Sequence, residues 1–109
     1  MTDAKALSPA EFQILLALAD GAKHGRGIKL DVRTRTRGEI DMGPGTLYGA
    51  IKRLLRREWI VEVTDDIDAV EDERLRYYAA TPAGLEAARS EAERMSVLLG
   101  IAQSKQLIV

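Results

Sequence analysis

Four cations close one segment of this 109-residue chain, Lys52, Arg53, Arg56 and Arg57, and no acid stands between Gly43 and Arg57. The hydroxyls of Thr46 and Tyr48 precede them. Groups of this kind bind polyanions. An arginine can donate two parallel hydrogen bonds to a guanine edge, and a lysine neutralises a phosphate. Gly49 has no side chain and would let the segment approach a phosphate or base edge closely. The cationic character begins earlier: from Lys23 to Arg57 ten basic residues face only Asp31, Glu39 and Asp41, a local net charge of +7. Seven acids and no base follow from Glu62 to Glu73, which brings the whole chain to -1. Binding depends on the local field, so the basic stretch counts despite the neutral total.

Other chemistries find little support. A single histidine and no cysteine leave no nucleophile and base at a recognisable spacing, and they remove disulfides, thiol catalysis and cysteine-zinc sites. Gly25-Arg26-Gly27 and Gly43-Pro44-Gly45 lack the glycine spacing and preceding strand of a dinucleotide site. Asp66-Ile67-Asp68 begins like a calcium loop, but Val70, Glu71 and Tyr77 occupy positions that need a ligand, a glycine and a glutamate. No enzyme, cofactor or metal is expected. No apolar run is long enough to span a membrane, and the N-terminus lacks a signal-peptide pattern, so a cytoplasmic location is expected.

The elements that must carry the basic face can be read in order. Ser8-Pro9-Ala10-Glu11 is a capped helix start, followed by an apolar stripe of Phe12, Leu15, Leu16 and Ala19 up to Asp20-Gly21. A second helix is predicted from Gly25 to about Thr36, ended by Gly38. A third runs from about Pro44 to Arg57 with Leu47, Ile51, Leu54 and Leu55 inward. The period then changes to two: Trp59 to Thr64 and Leu75 to Ala80 read as strands of a hairpin with the acidic stretch at its tip. Thr81-Pro82 starts a last helix in which Leu85, Ala88, Ala92, Met95, Leu99 and Ala102 form an apolar seam. Arg89 with Glu93 and Glu91 with Arg94 would flank it.

The expected fold is therefore mainly α with a two-stranded β-hairpin, a winged helix-turn-helix over residues 1–80 plus a C-terminal dimerisation helix over 81–109. The third helix separates an apolar face from one bearing Thr46, Gly49, Lys52, Arg53, Arg56 and Arg57. A helix of this diameter fits the major groove. The seam on the last helix needs a further surface to cover it, and a second copy is the expected one. Val97, Leu98 and Ile101 lie beyond the seam, so the helix is also expected to touch its own domain, at the first helix.

The residues also carry a family resemblance. Leu7 to Leu18, His24-Gly25, the block Gly43-Pro44-Gly45-Thr46-Leu47-Tyr48-Gly49-Ala50-Ile51-Lys52-Arg53-Leu54, and Arg76-Tyr77-Tyr78 with Thr81-Pro82-Ala83-Gly84 resemble the PadR family of bacterial transcriptional regulators. The resemblance implies a homodimeric repressor that binds a palindromic double-stranded operator and, in many members, is released by a small effector. The single helix after the wing resembles the compact subfamily. Carried over residue by residue, Thr46, Tyr48, Lys52 and Arg53 fall in the recognition helix and Arg76 on the wing; with Arg26, Gly45, Gly49, Arg56 and Arg74 they make up the expected DNA-contacting set. Tyr48 is expected to reach a phosphate, and His24 to be a local cap or a core hydrogen-bonding residue. Arg26 stands where an aromatic residue often follows His-Gly, and Glu58-Trp59 replaces the usual Gly-Leu, costing the third helix its terminal glycine. The acidic wing tip would be repelled by phosphates. It supports an alternative reading, a winged-helix module that docks a basic protein through this hairpin.

Overall fold

The computed structural model describes residues 7–63 and 76–108. Its elements are α1 (Pro9–Leu18), β1 (Lys23–His24), α2 (Gly25–Arg35), α3 (Pro44–Arg56), β2 (Ile60–Val63), β3 (Tyr77–Ala80) and α4 (Pro82–Ser104). The wing tip, with Arg74 and the acids from Asp65 to Glu73, lies outside the described residues, as do Thr64 and Leu75.

Local chemistry sets the helix starts. The Ser8 hydroxyl accepts from the Glu11 amide while Glu11 accepts from the Ser8 amide, a reciprocal cap at α1. The His24 side chain caps α2, and Thr81 caps α4 through its hydroxyl on the Gly84 amide at 3.0 Å. Pro44 and Pro82 occupy first-turn positions, where a missing N–H costs nothing.

α1 is the hub: it touches α2, α3, α4 and β3. Ile14, Leu15, Ala17 and Leu18 are buried there against Ile28 and Val32 of α2, Leu47, Ala50, Ile51 and Leu54 of α3, and Met42, Ile60 and Tyr78. This corrects the stripe expected for α1. Leu16 and Ala19 are exposed, while Ile14, Ala17 and Leu18 are covered, because neighbours surround the helix on more than one side. In α3, Ala50 is buried and Leu55 only half-buried. α2 ends one residue early with Thr36 as its cap, and Arg37 (φ 56°) and Gly38 (φ 82°) reverse the chain.

The hairpin pairs β2 with β3 antiparallel, Ile60 opposite Ala80 and Val63 opposite Tyr77. A third strand not expected from the sequence, β1, joins the other edge of β3 and pairs Lys23 with Tyr78 and His24 with Tyr77. The sheet order is β1-β3-β2. Two residues are too few to show a period, but they tie the start of α2 to the wing.

Candidate nucleic-acid interface

Of the residues expected on the open face of α3, Thr46, Lys52, Arg53 and Arg56 are exposed, as are Gly45 and Tyr48, while Gly49 is half-buried; Leu47, Ala50, Ile51 and Leu54 are buried on the opposite side. Tyr48, Lys52 and Arg56 follow one another at four-residue steps and so form one row on the open face. No acid interrupts this row.

The start of α2 lies beside it. A Cβ on Gly25 would collide with the Tyr48 hydroxyl, so the absent side chain makes room for the phenol across the α2–α3 junction. His24 Nδ1 accepts from the Gly27 amide at 3.0 Å, which assigns this histidine to capping. Its ring meets Tyr77 edge-on at 5.3 Å. Arg26, one residue into α2, is exposed. Arg26 is thus exposed one residue from the buried Gly25 that adjoins Tyr48, the first residue of the row Tyr48, Lys52, Arg56.

Other cations are tied down locally. Lys29 pairs with Asp41 at 2.5 Å, and Arg35 binds Asp31 at 2.9 Å and Gln13 at 2.6 Å. Asp41 is held below the usual carboxylate range by the Lys29 hydrogen bond. Arg57 turns away from the open face: it lies over the Trp59 ring at 4.5 Å, with Nη1 buried and 4.0 Å from Glu11 Oε1. Trp59 is half-buried beneath it and stands one residue before β2, which the sequence predicts to begin at the tryptophan itself. On the wing, Arg76 is exposed and 3.6 Å from Glu62. Tyr78 is core, and burial raises the pKa of its hydroxyl.

The profile of the transcriptional regulator PadR-like family matches residues 14–90, most of the described winged helix. The chain belongs to this family. Among solved structures, this PadR-like chain is similar to a PadR family transcription regulator from Clostridium difficile, with 19% identity, 91% and 99% of the two chains covered and a TM-score of 0.75. A transcriptional regulator from Clostridium thermocellum matches with 23% identity, 87% of each chain and a TM-score of 0.74. Lactococcus lactis ZitR, a cysteine-to-serine mutant in complex with DNA, matches with 22% identity, 94% of this chain, 62% of its own and a TM-score of 0.65. At these identities the likeness is one of fold. A 37.1 kDa protein in transposon TN4556 of Streptomyces fradiae, uncharacterised, is 35% identical over 91 residues. The chain spans about a quarter of that relative's length, 24%, while 84% of this chain is matched.

Sequence reasoning missed Glu11 at this PadR-like surface. It is 2% exposed, and its Oε2 accepts from Arg53 Nε at 2.8 Å. The capping-box signal is legible in the sequence, but one carboxylate oxygen serves the cap and the other serves α3. Burial acts to raise the Glu11 pKa, yet the Ser8 N–H, the Arg53 hydrogen bond and the charges of Arg57 and Arg53 together hold it below its ordinary value. Gly84, which the sequence marks only as part of a motif, is buried against the Trp59 backbone. The expected Arg89–Glu93 pair is replaced by Arg89–Glu86, whereas Arg94 does bind Glu91, at 2.6 Å.

The seam of α4 is open in the single chain. Met95 and Leu99 are 43% and 48% exposed, and Ala92 is exposed. Ala88 packs on the core, Leu85 sits at the margin and Ala102 is half-buried. α4 does contact α1, but Val97, Leu98 and Ile101, on which that expectation rests, are 64%, 54% and 46% exposed. Among the described residues no helix is long and apolar enough to cross a membrane, and no cluster of potential metal ligands occurs.

Proposed function

We propose that this chain is a homodimeric DNA-binding repressor of a palindromic operator, with α3 as its recognition helix. The observation that carries this reading is the acid-free, exposed row Tyr48, Lys52, Arg56 on a helix whose other side is buried. Gly45, Thr46 and Gly49 give that helix a slim leading end, and Arg26 extends the cationic surface to α2. Arg76, together with Arg74 beyond the described residues, supplies the wing's contacts. ZitR, of similar fold and described in complex with DNA, supports DNA as the partner.

Residues 1–80 form the DNA-binding unit and 81–109 the dimerisation helix, in which Leu85, Ala92, Met95, Leu99 and Ala102 face the second copy while Ala88 packs on its own domain. Two recognition helices about 34 Å apart would enter successive major grooves on one side of the duplex. A small effector at the junction of the two copies would release the DNA. Its binding would be read through Trp59, which lies next to the root of α4.

The test is titration of the full chain against a duplex selected from random DNA and against a scrambled duplex, at several salt concentrations. With roughly three or four phosphates neutralised per protomer, log K should fall with log salt at a slope on the order of -5 to -7. A flat slope without sequence preference ends the proposal.

A further inference from the structure

Glu11 is the buried charged side chain among the described residues, and its charged partners come from another element. Forty-two positions separate it from Arg53, yet the two side chains meet at 2.8 Å. Its Oε1 accepts from the Ser8 amide at 2.9 Å, with Arg57 Nη1 4.0 Å away. A carboxylate this enclosed is tolerated only when paired and hydrogen-bonded, so its charge commits the arginines around it. Arg53 itself is half-exposed. Its Nη1 lies 3.7 Å from the place a Cβ on Gly49 would take, so the guanidinium folds back along α3 over that glycine. Nε is engaged, and among the described residues the terminal amino groups have no partner and are left to meet a ligand.

We propose that Glu11 is a positioning residue for the face of α3. Its carboxylate holds Arg53 against the helix, so that the arginine meets a backbone phosphate and does not extend to a base edge. The inference rests on the DNA-binding reading above. A side chain ordered before binding loses less freedom on contact, so the pair raises affinity for any sequence. Discrimination between bases then falls to Thr46, Lys52 and Arg56, which carry no such tether among the described residues.

A double-mutant cycle of Glu11→Gln and Arg53→Ala in the full chain tests this, using the selected and scrambled duplexes over a salt series. Glutamine keeps an acceptor for the Ser8 amide and preserves the capping box. Arg53→Ala should weaken both duplexes by the same factor and reduce the salt slope by about 1. Glu11→Gln should weaken both by about threefold or more with Arg53 in place, and by little once Arg53→Ala is present, as members of one network behave. Additive effects, or a loss in Arg53→Ala confined to the selected duplex, would overturn the proposal. Wild-type protein that binds neither duplex would instead defeat the DNA-binding reading, and this inference with it. Should Glu11→Gln fail to fold, hydrogen exchange at Arg53 Nε–H in the free wild type decides: protection is expected, and exchange as fast as in a solvated arginine overturns the tether.

Discussion

The carbonyl oxygen of Trp59 occupies the space that a side chain on Gly84 would need. The same carbonyl accepts from the Thr81 amide at 3.0 Å, and the Thr81 hydroxyl donates to the Glu58 carbonyl at 2.9 Å. The end of α3, the start of β2 and the first turn of α4 therefore form one joint.

Gly84→Ala should open that joint. The obstructing atoms are backbone, which cannot swing aside as a side chain would, so overpacking of about 1–3 kcal/mol is expected. Thermal unfolding followed by Trp59 fluorescence should show a midpoint lower by several degrees. An unchanged midpoint would mean that the first turn of α4 shifts freely, and the joint would lose its meaning.

Glu58→Gly should act in the opposite direction. Glu58 follows α3 with φ 64°, a left-handed conformation in which an L side chain costs about 1 kcal/mol. Glycine removes that cost and keeps the carbonyl on which Thr81 depends. A higher urea midpoint with unaltered DNA affinity is the expected result, and a lower midpoint would refute it.

Much of this architecture is legible in the sequence because its signals are local. Ser8-Pro9-Glu11 and Thr81-Pro82 state helix starts within four residues, and the change of period after Arg57 states the hairpin. The faces of α3 follow from the separation of Leu47, Ile51 and Leu54 from Lys52 and Arg56. What escapes is set by distant neighbours. α1 is apolar around most of its circumference, so periodicity cannot choose between Leu16 and Ile14; the packing of α2, α3 and α4 chooses. β1 exists only because β3 offers an edge. Glu11 reads as an ordinary cap until α3 brings Arg53 beside it, 42 positions later.

Acid should reveal that pairing. The folded-state pKa of Glu11 is lowered below its ordinary value of 4.5, so the ionised form favours the folded state. Its contribution is complete above the unfolded value and is lost as pH falls through the folded one. Glu11→Gln should be less stable than wild type at pH 7 and converge toward it in acid. The wild type should keep the steeper pH dependence below about pH 4.5. Asp20, held low by Lys23, and Asp41, held low by Lys29, leave the variant a residual slope. Urea midpoints from pH 7 to pH 3 give the comparison, and parallel curves would exclude a stabilising charge at Glu11.

Gly25→Ala should displace the Tyr48 phenol with little damage to the core, since the atom in the way is the tip of a side chain. DNA affinity should fall alike on selected and scrambled duplexes, and Tyr48→Phe should do the same by removing the hydroxyl from a phosphate. Combining the two should add little, because both act on one contact. Full additivity in anisotropy titrations would place Tyr48 outside the interface.

The seam of α4 yields the prediction with the widest reach. Leu99 is 48% exposed, and Met95 and Ile101 nearby are open to a similar extent. Met95 and Leu99 stand one turn apart on the same face, and an exposed apolar face of this kind is where a second copy would dock. Leu99→Glu would place a charge in the centre of that contact, whereas Ser96→Glu adds the same charge at a polar, exposed position. Sedimentation equilibrium should give a dimer for wild type and Ser96→Glu and a monomer for Leu99→Glu. The monomer would engage one half-site, so its salt slope should drop to about half, near -3. The melting temperature of wild type should rise with protein concentration and that of Leu99→Glu should not, because only an associating fold is stabilised by mass action. Wild type that sediments as a monomer and binds the selected duplex with the smaller slope would show that a single copy suffices.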